Sequence, residues 1–69
     1  MKIRQIFASN LRRIRLDRNL TQENLADMAG IDRTYVSALE RQVYSVSLDT
    51  IEKLAEVLSI DPHNLLKRE

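Results

Sequence analysis

The stretch DRTYVSALER at positions 32–41 carries arginines and short polar side chains at helical spacing. At about 100° per residue, Arg33, Thr34, Ser37, Ala38 and Arg41 fall within about 140° of a helix surface, opposite the apolar residues of the stretch. This polar arc has few bulky groups, so it can approach another surface closely. Its guanidinium and hydroxyl groups donate hydrogen bonds, which suits a partner rich in acceptors.

Arg33 is the first candidate for contact with a nucleic-acid base. Its planar fork matches O6 and N7 of guanine, and the major groove of DNA, about 12 Å wide, admits a helix. Thr34 can offer a methyl to thymine or a hydroxyl to a base or phosphate, while Ser37 and Ala38 allow close approach. An ordinary solvated helix face is the alternative, and the arc alone does not exclude it.

The charges of the chain are unevenly distributed along the sequence. Residues 1–18 carry six Lys and Arg against one Asp, whereas residues 19–69 carry five against nine Asp and Glu. This asymmetry indicates a basic face for an anionic partner. A solvated helix face paired with acidic neighbours remains the other interpretation.

The residue inventory argues against an enzyme, a metal protein and a membrane protein. The chain has no cysteine, one histidine (His63) and no Gly-rich phosphate loop. No run of apolar residues exceeds three, which excludes a transmembrane helix and a signal peptide. We therefore expect no cofactor, metal or small-molecule ligand, and a cytoplasmic location.

Four residues of N-cap type predict helix starts, because their side-chain oxygens accept hydrogen bonds from the first turn. Each is preceded by an apolar residue, and another apolar residue follows five positions later, as in a hydrophobic staple. The caps are Thr21, Asp32, Ser47 and Asp61, with the staple pairs Leu20/Leu25, Ile31/Val36, Val46/Ile51 and Ile60/Leu65.

These starts and the apolar periodicity predict an all-α fold of five helices, at about 3–18, 22–29, 33–41, 48–58 and 62–66. The stripe of helix one is Ile3, Phe7, Leu11 and Ile14, and that of helix four is Leu48, Ile51, Leu54, Ala55 and Leu58. Helices two and three are separated only by a short turn with Gly30, which predicts a helix-turn-helix. The whole chain, 1–69, is expected to be one domain.

The segment LTQENLADMAGIDRTYVSALER resembles the lambda-repressor-like helix-turn-helix family of bacterial and phage regulators. The resemblance extends from about Leu11 to Leu66. It includes Ala26 where the two helices touch, the turn residue Gly30, and the anchors Ile31, Val36 and Leu39. The pattern DRTYVS, LER and SLDTIEKLAEVL is most similar to the controller proteins of restriction–modification systems.

The resemblance implies a sequence-specific regulator of transcription, repressor or activator, that binds a double-stranded DNA operator as a homodimer. It also implies a bacterial or phage-encoded, nucleoid-associated protein. A module of the same fold that binds a protein partner, such as an antitoxin or anti-repressor, is the alternative. That alternative predicts apolar anchors on the outer face of helix three, and Arg33, Ser37 and Arg41 are not of that type.

The resemblance further assigns roles to residues outside the polar arc. It implies that Gln22, at the start of helix two, bonds a phosphate, and that Glu40 pairs with Arg15; two separate exposed charges are the alternative for that pair. Contacts to the DNA backbone are also expected from Arg41, Tyr44 and Ser45. For Tyr35, a DNA contact and a half-buried ring with a solvated hydroxyl remain open.

The C-terminal third carries more apolar residues than one small core can absorb. Val57 lies outside the stripe of helix four, and the adjacent Leu65 and Leu66 point about 100° apart. We therefore expect a dimer interface at helices four and five, about 48–66, with Leu65 or Leu66 near its centre.

In the loop after helix three, Gln42 replaces the glycine that the family often has there. In the left-handed conformation it would cost about 1–2 kcal/mol.

Overall fold

In the computed structural model, which describes residues 2–68, the four helix starts predicted from capping residues are held by those side chains. Thr21 Oγ1 accepts from the Asn24 N–H at 3.0 Å, and Asn24 Oδ1 accepts from the Thr21 N–H at 3.3 Å, which completes a capping box. Asp32 caps the following helix through the Thr34 N–H at 2.7 Å. The two remaining predicted caps, Ser47 and Asp61, also accept from their own first turns.

The described residues form four α-helices and one short 3-10 helix, so the prediction of five α-helices is wrong in its last element. The α-helices are α1 (Ile3–Asp17), α2 (Gln22–Ala29), α3 (Arg33–Glu40) and α4 (Leu48–Leu58), and the 3-10 helix is Pro62–Leu65. The last element is 3-10 because its hydrogen bonds span three residues, from the Asn64 N–H to Asp61 O and from the Leu66 N–H to His63 O, both at 2.9 Å. Hydrogen bonds from the His63 side chain and backbone lower the pKa of Asp61.

Gly30 ends α2 in the left-handed conformation, at φ 68°, and allows α3 to begin three residues later. Gln42, Asn19 and Ser59 also have positive φ, at 65°, 58° and 56°. Gln42 therefore takes the conformation that is costly for a non-glycine residue. The tight α2–Gly30–α3 connection is the predicted helix-turn-helix.

The core lies between all four α-helices and the 3-10 helix. α1 packs against α3 and the 3-10 helix, whereas α2 packs against α3 and α4. The first member of each predicted staple is half-buried against the core, and the second is buried. The centre of the core is formed by Leu11, Leu25, Val36, Leu39, Leu54, Leu58 and Leu65, all with 1% or less of their surface exposed.

Two residues assigned to core stripes by periodicity are exposed in the structure. Ile3 and Leu48 begin α1 and α4, and their exposed fractions are 58% and 81%. A helical side chain leans toward the N-terminus of its helix, so a residue in the first position points beyond the packed layer. The core stripes therefore start one turn later than the sequence predicts.

Asn10 is a buried polar residue that the sequence analysis did not single out. Its Nδ2 donates to Leu65 O at 3.1 Å and to Lys67 O at 2.9 Å, and its Oδ1 accepts from Arg13 Nη2 at 3.1 Å. These bonds tie the end of the 3-10 helix to the middle of α1.

Within residues 2–68, no helix is long and apolar enough to cross a membrane.

Candidate nucleic-acid interface

Arg33 and Thr34 form the exposed N-terminal end of α3. Asp32 holds this end in a helical first turn through its bond to the Thr34 N–H. Ser37, one turn further along, is half-buried. The structure therefore brings three of the predicted base-reading residues to one side of α3, with the guanidinium of Arg33 at the helix end that helix-turn-helix proteins direct to base edges.

Ala38 does not belong to this exposed face, and the prediction that it lies there is wrong. Only 2% of its surface is exposed. The helical wheel places Ala38 at the margin of the polar arc. In the structure, however, α3 packs against α1 as well as α2. The chain after α3 also folds back, so that the Val43 N–H donates to Ala38 O at 2.9 Å. The exposed arc of α3 is consequently narrower than periodicity indicates.

Glu40, the last residue of α3, is fixed to α1 by Arg15. Arg15 Nε donates to Glu40 Oε2 at 2.7 Å, and Arg15 Nη2 donates to Glu40 Oε1 at 3.0 Å. Both side chains are nearly buried, with 9% and 5% of their surface exposed. The hydrogen bond to Glu40 raises the pKa of Arg15, and desolvation by burial opposes this increase. The alternative of two separate exposed charges is thereby excluded.

Arg15 also holds the turn that precedes α2, since its Nη1 donates to Leu20 O at 2.8 Å. Gln22, the first residue of α2, is half-buried, and its Nε2 donates to Glu40 Oε1 at 3.2 Å. One carboxylate thus connects α1, the start of α2 and the end of α3. This network holds the two helices of the helix-turn-helix in a fixed relation.

The loop after α3 presents Arg41, Tyr44 and Ser45 to solvent. It begins with Gln42 in the left-handed conformation. Tyr35 lies on the other margin of α3, where its ring is half-buried against the core. That placement agrees with the half-buried alternative for Tyr35.

An apolar groove of about 210 Å³ lies between the N-terminal part of α1, this loop and the start of α4. Its walls include the exposed residues Ile3, Tyr44 and Leu48, and the half-buried Leu66. The groove was not predicted from the sequence, because helical periodicity places Ile3 and Leu48 in the core. Apolar residues at the first position of a helix were the signal that could have identified it.

Leu65 cannot form part of an interface, so its prediction as a dimer contact is wrong. Its side chain is fully buried in the core of its own chain. The 3-10 conformation turns Leu65 inward and leaves Leu66 only partly covered. Val57 is also half-buried, packed against the core.

Residues 11–65 match the helix-turn-helix family. The fold and the arrangement of α2 and α3 agree with that match, and the chain belongs to this family, with a lambda-repressor-like fold.

Its relatives include proteins that control restriction–modification systems. Control protein C.BamHI of Bacillus amyloliquefaciens is 45% identical over 65 residues, covering 93% of this chain and 80% of that protein. The Neisseria hypothetical transcription factor of Neisseria meningitidis serogroup B is 42% identical over 64 residues. That match covers 93% of this chain but only 60% of the Neisseria protein.

Solved structures of controller proteins share the fold. The restriction–modification controller protein C.AhdI from Aeromonas hydrophila superposes with a TM-score of 0.87 at 44% identity, covering 90% of this chain and 94% of that chain. The C.Esp1396I controller tetramer in complex with its natural 35 base-pair operator superposes with a TM-score of 0.82 at 25% identity, covering 97% and 99%. The relatives are thus described as regulators of transcription or controllers, and not as enzymes.

Proposed function

We propose that this chain is a sequence-specific, double-stranded DNA-binding regulator of transcription, and that it serves as the controller protein of a restriction–modification system. It binds as a homodimer to two inverted half-sites. In each half-site α3 enters the major groove, Arg33 and Thr34 read base edges, and Ser37 allows close approach.

The observation that carries this proposal is the N-terminal end of α3. It presents an exposed arginine and threonine on a helix whose other end is fixed by the nearly buried Arg15–Glu40 pair. Base reading requires side chains on a rigid element, since a bidentate contact depends on position and orientation. The exposed side of α3 carries no apolar anchors, which a helix that docks into a protein groove would need.

The similarity to C.BamHI and C.AhdI supports the narrower assignment to restriction–modification control. The C.Esp1396I controller was solved bound to an operator, which supports a DNA partner for a chain of the same fold. Phosphate contacts at the two sides of α3 are proposed from Gln22 and from the loop residues Arg41, Tyr44 and Ser45, with Tyr35 as a further candidate.

The proposed dimer surface is the apolar groove described above. Tyr44 and Leu48 are largely exposed there, and Leu66 contributes from the C-terminal segment. Val57, which does not line the groove, remains a further candidate for the interface. A second copy of this chain would cover these side chains, and two-fold symmetry would place the same residues on both sides of the interface. The two recognition helices would then enter successive major grooves about 34–36 Å apart.

In vitro selection from a library of random-sequence duplexes tests the proposal. At moderate salt we expect the protein to enrich an inverted repeat whose half-sites lie about one helical turn apart. An Arg33→Ala protein carried through the same selection serves as the comparison, and it should lose preference at one position in each half-site. Failure to enrich any sequence would contradict the proposal and favour a protein-interaction module.

A further inference from the structure

Glu40 accepts hydrogen bonds from two different residues of the helix-turn-helix scaffold. Its Oε2 accepts from Arg15 Nε, whereas its Oε1 accepts both from Arg15 Nη2 at 3.0 Å and from Gln22 Nε2 at 3.2 Å. Arg15 alone already provides the carboxylate with a charged, bidentate partner. The bond to Gln22 therefore adds something other than charge neutralisation.

This bond determines which end of the Gln22 amide faces Glu40. A carboxylate only accepts hydrogen bonds, and only the NH₂ end of an amide donates them. The amide oxygen of Gln22 is thus turned away from Glu40. One of the two N–H bonds of Nε2 is directed to Glu40, and the second remains for an acceptor outside the protein.

The position of Gln22 suits an anionic acceptor. It is the first residue of α2, where backbone N–H groups of the first turn have no partner within the helix. It is also half-buried, so its side chain has limited freedom to rotate. A phosphate oxygen at this end of α2 would meet the second N–H of Gln22 and the helix N-terminus together.

We propose that Glu40 is a positioning residue for DNA binding: it orients the Gln22 amide so that its N–H, and not its oxygen, meets a DNA phosphate. The proposal rests on the proposed function, since it requires an operator. It gives Glu40 a second role besides its ion pair with Arg15. It also explains how a carboxylate at the end of the recognition helix assists the binding of an anion instead of opposing it.

The test replaces single phosphates of the selected operator with neutral methylphosphonates, one position at a time. For the wild-type protein, replacement of the phosphate that Gln22 contacts should weaken binding about tenfold, as expected for a hydrogen bond to a charged group. Gln22→Ala should bind the unmodified operator about tenfold more weakly and should show no penalty at that position.

The decisive variant is Glu40→Gln. With its oxygen in place of Oε2, the new amide still accepts from Arg15 Nε, and its NH₂ group in place of Oε1 gives up the bond from Arg15 Nη2. That NH₂ group can now donate to Gln22, which allows the Gln22 amide to turn its oxygen toward residue 40. The methylphosphonate penalty at that one phosphate should then fall below about twofold. A Gln22→Ala, Glu40→Gln double variant should bind no more weakly than Gln22→Ala alone, because both changes remove the same contact.

Arg15→Lys is the matched control for a purely structural role. Lys still donates to the Glu40 carboxylate, so the bond to Gln22 is retained, while the loss of the fork lowers the melting temperature. We expect Arg15→Lys to show the same loss of affinity as wild type when the phosphate that Gln22 contacts is replaced by a methylphosphonate. Should Glu40→Gln prove unfolded, Glu40→Asp provides the same measurement, since it keeps the charge but withdraws the carboxylate from Gln22.

Three results would overturn the proposal. Glu40→Gln could retain the wild-type methylphosphonate penalty, or Arg15→Lys could lose as much of that penalty as Glu40→Gln does. Alternatively, methylphosphonates could weaken the binding of Gln22→Ala as much as that of wild type at every phosphate. In these cases the operator is still bound and the proposed function stands. If selection yields no operator at all, the proposed function and the positioning role of Glu40 are both rejected.

Discussion

Arg33 and Arg15 have the same side chain but lie in opposite environments, one exposed to solvent and one nearly buried. Arg33 is exposed at the start of α3, whereas Arg15 is nearly buried and gives its donors to Glu40 and Leu20 O. The difference follows from what lies opposite each guanidinium. A guanidinium that already holds a carboxylate has little capacity left for a base edge, so Arg15 can stabilise the scaffold and the proposed base reading falls to Arg33.

Arg33→Ala is expected to weaken binding to the selected operator by about 1–3 kcal/mol and to relax preference at one base pair in each half-site. The reason is the loss of a bidentate contact to guanine. Binding constants for the operator, its point variants and random DNA provide the measurement. Arg12→Ala removes an exposed arginine of α1 and should leave base preference unchanged. Equal losses of Arg33→Ala on operator and random DNA would assign Arg33 to a phosphate instead.

A double-mutant cycle on Arg15 and Glu40 measures the buried pair. Each single change to Ala should lower the free energy of unfolding by about 3–5 kcal/mol, because it leaves the partner buried without its counter-charge. The double variant should be less destabilised than the sum of both, with a coupling of about 1 kcal/mol or more. Urea unfolding provides the values. Additive losses would mean that the two charges do not stabilise each other in solution.

At the scale of elements, the loop after α3 carries a local backbone strain that the turn between α2 and α3 avoids. The turn between α2 and α3 uses Gly30 for its left-handed residue, and a Cβ there would meet no atom within 4 Å, so only the backbone angle favours glycine. Gln42 takes nearly the same conformation with a full side chain, at φ 65°. The left-handed backbone of Gln42 therefore makes the loop that carries Tyr44 and Ser45 less stable than it would be with glycine at this position.

Gln42→Gly should stabilise the protein by about 0.5–1 kcal/mol. It removes the cost of a left-handed non-glycine residue, about 1–2 kcal/mol, and this gain is reduced by the greater freedom of glycine in the unfolded chain. Gln5→Gly, at an exposed position of α1, is the matched control and should destabilise the protein by about 1 kcal/mol. Urea unfolding of both variants checks the sign. Destabilisation by Gln42→Gly would show that the Gln42 side chain makes a compensating contact.

At the scale of the whole molecule, the apolar groove and the exposed side of α3 share the loop after α3. Tyr44 and Ser45 line the groove and are also candidates for contact with the DNA backbone. A chain of 69 residues has a small core, and covering the groove with a second copy would add buried apolar surface. Dimer formation and DNA binding are therefore expected to support each other through this loop.

Leu48→Glu is expected to weaken the dimer at least tenfold, because burial of an exposed leucine contributes about 1.5–3 kcal/mol and each 1.4 kcal/mol is a factor of ten. Analytical ultracentrifugation at micromolar concentration measures the change. Leu16→Glu is the control, since Leu16 is also exposed but lies on α1 outside the groove. A wild-type chain that is monomeric in solution and on DNA would reject the dimer. Equal losses of dimer affinity in Leu48→Glu and Leu16→Glu would mean that the interface lies outside the groove.

The sequence by itself determined the local architecture of this protein. The four caps at Thr21, Asp32, Ser47 and Asp61, and the turn at Gly30, were all predicted correctly. The bounds of α2 and α4 were also correct. These features depend on hydrogen bonds and backbone angles within a few residues along the chain, so neighbouring residues are sufficient to predict them.

The tertiary structure alone decided which side of each element is covered. Periodicity put Ala38 on the exposed face and Leu48 in the core, and both assignments were reversed. It also left Leu65 and Leu66 undecided, until the 3-10 conformation turned Leu65 inward. The bond from Gln22 to Glu40 joins residues 18 positions apart in the sequence. Such outcomes depend on how distant elements pack against one another, and a pattern read along one helix contains no information about its neighbours in space.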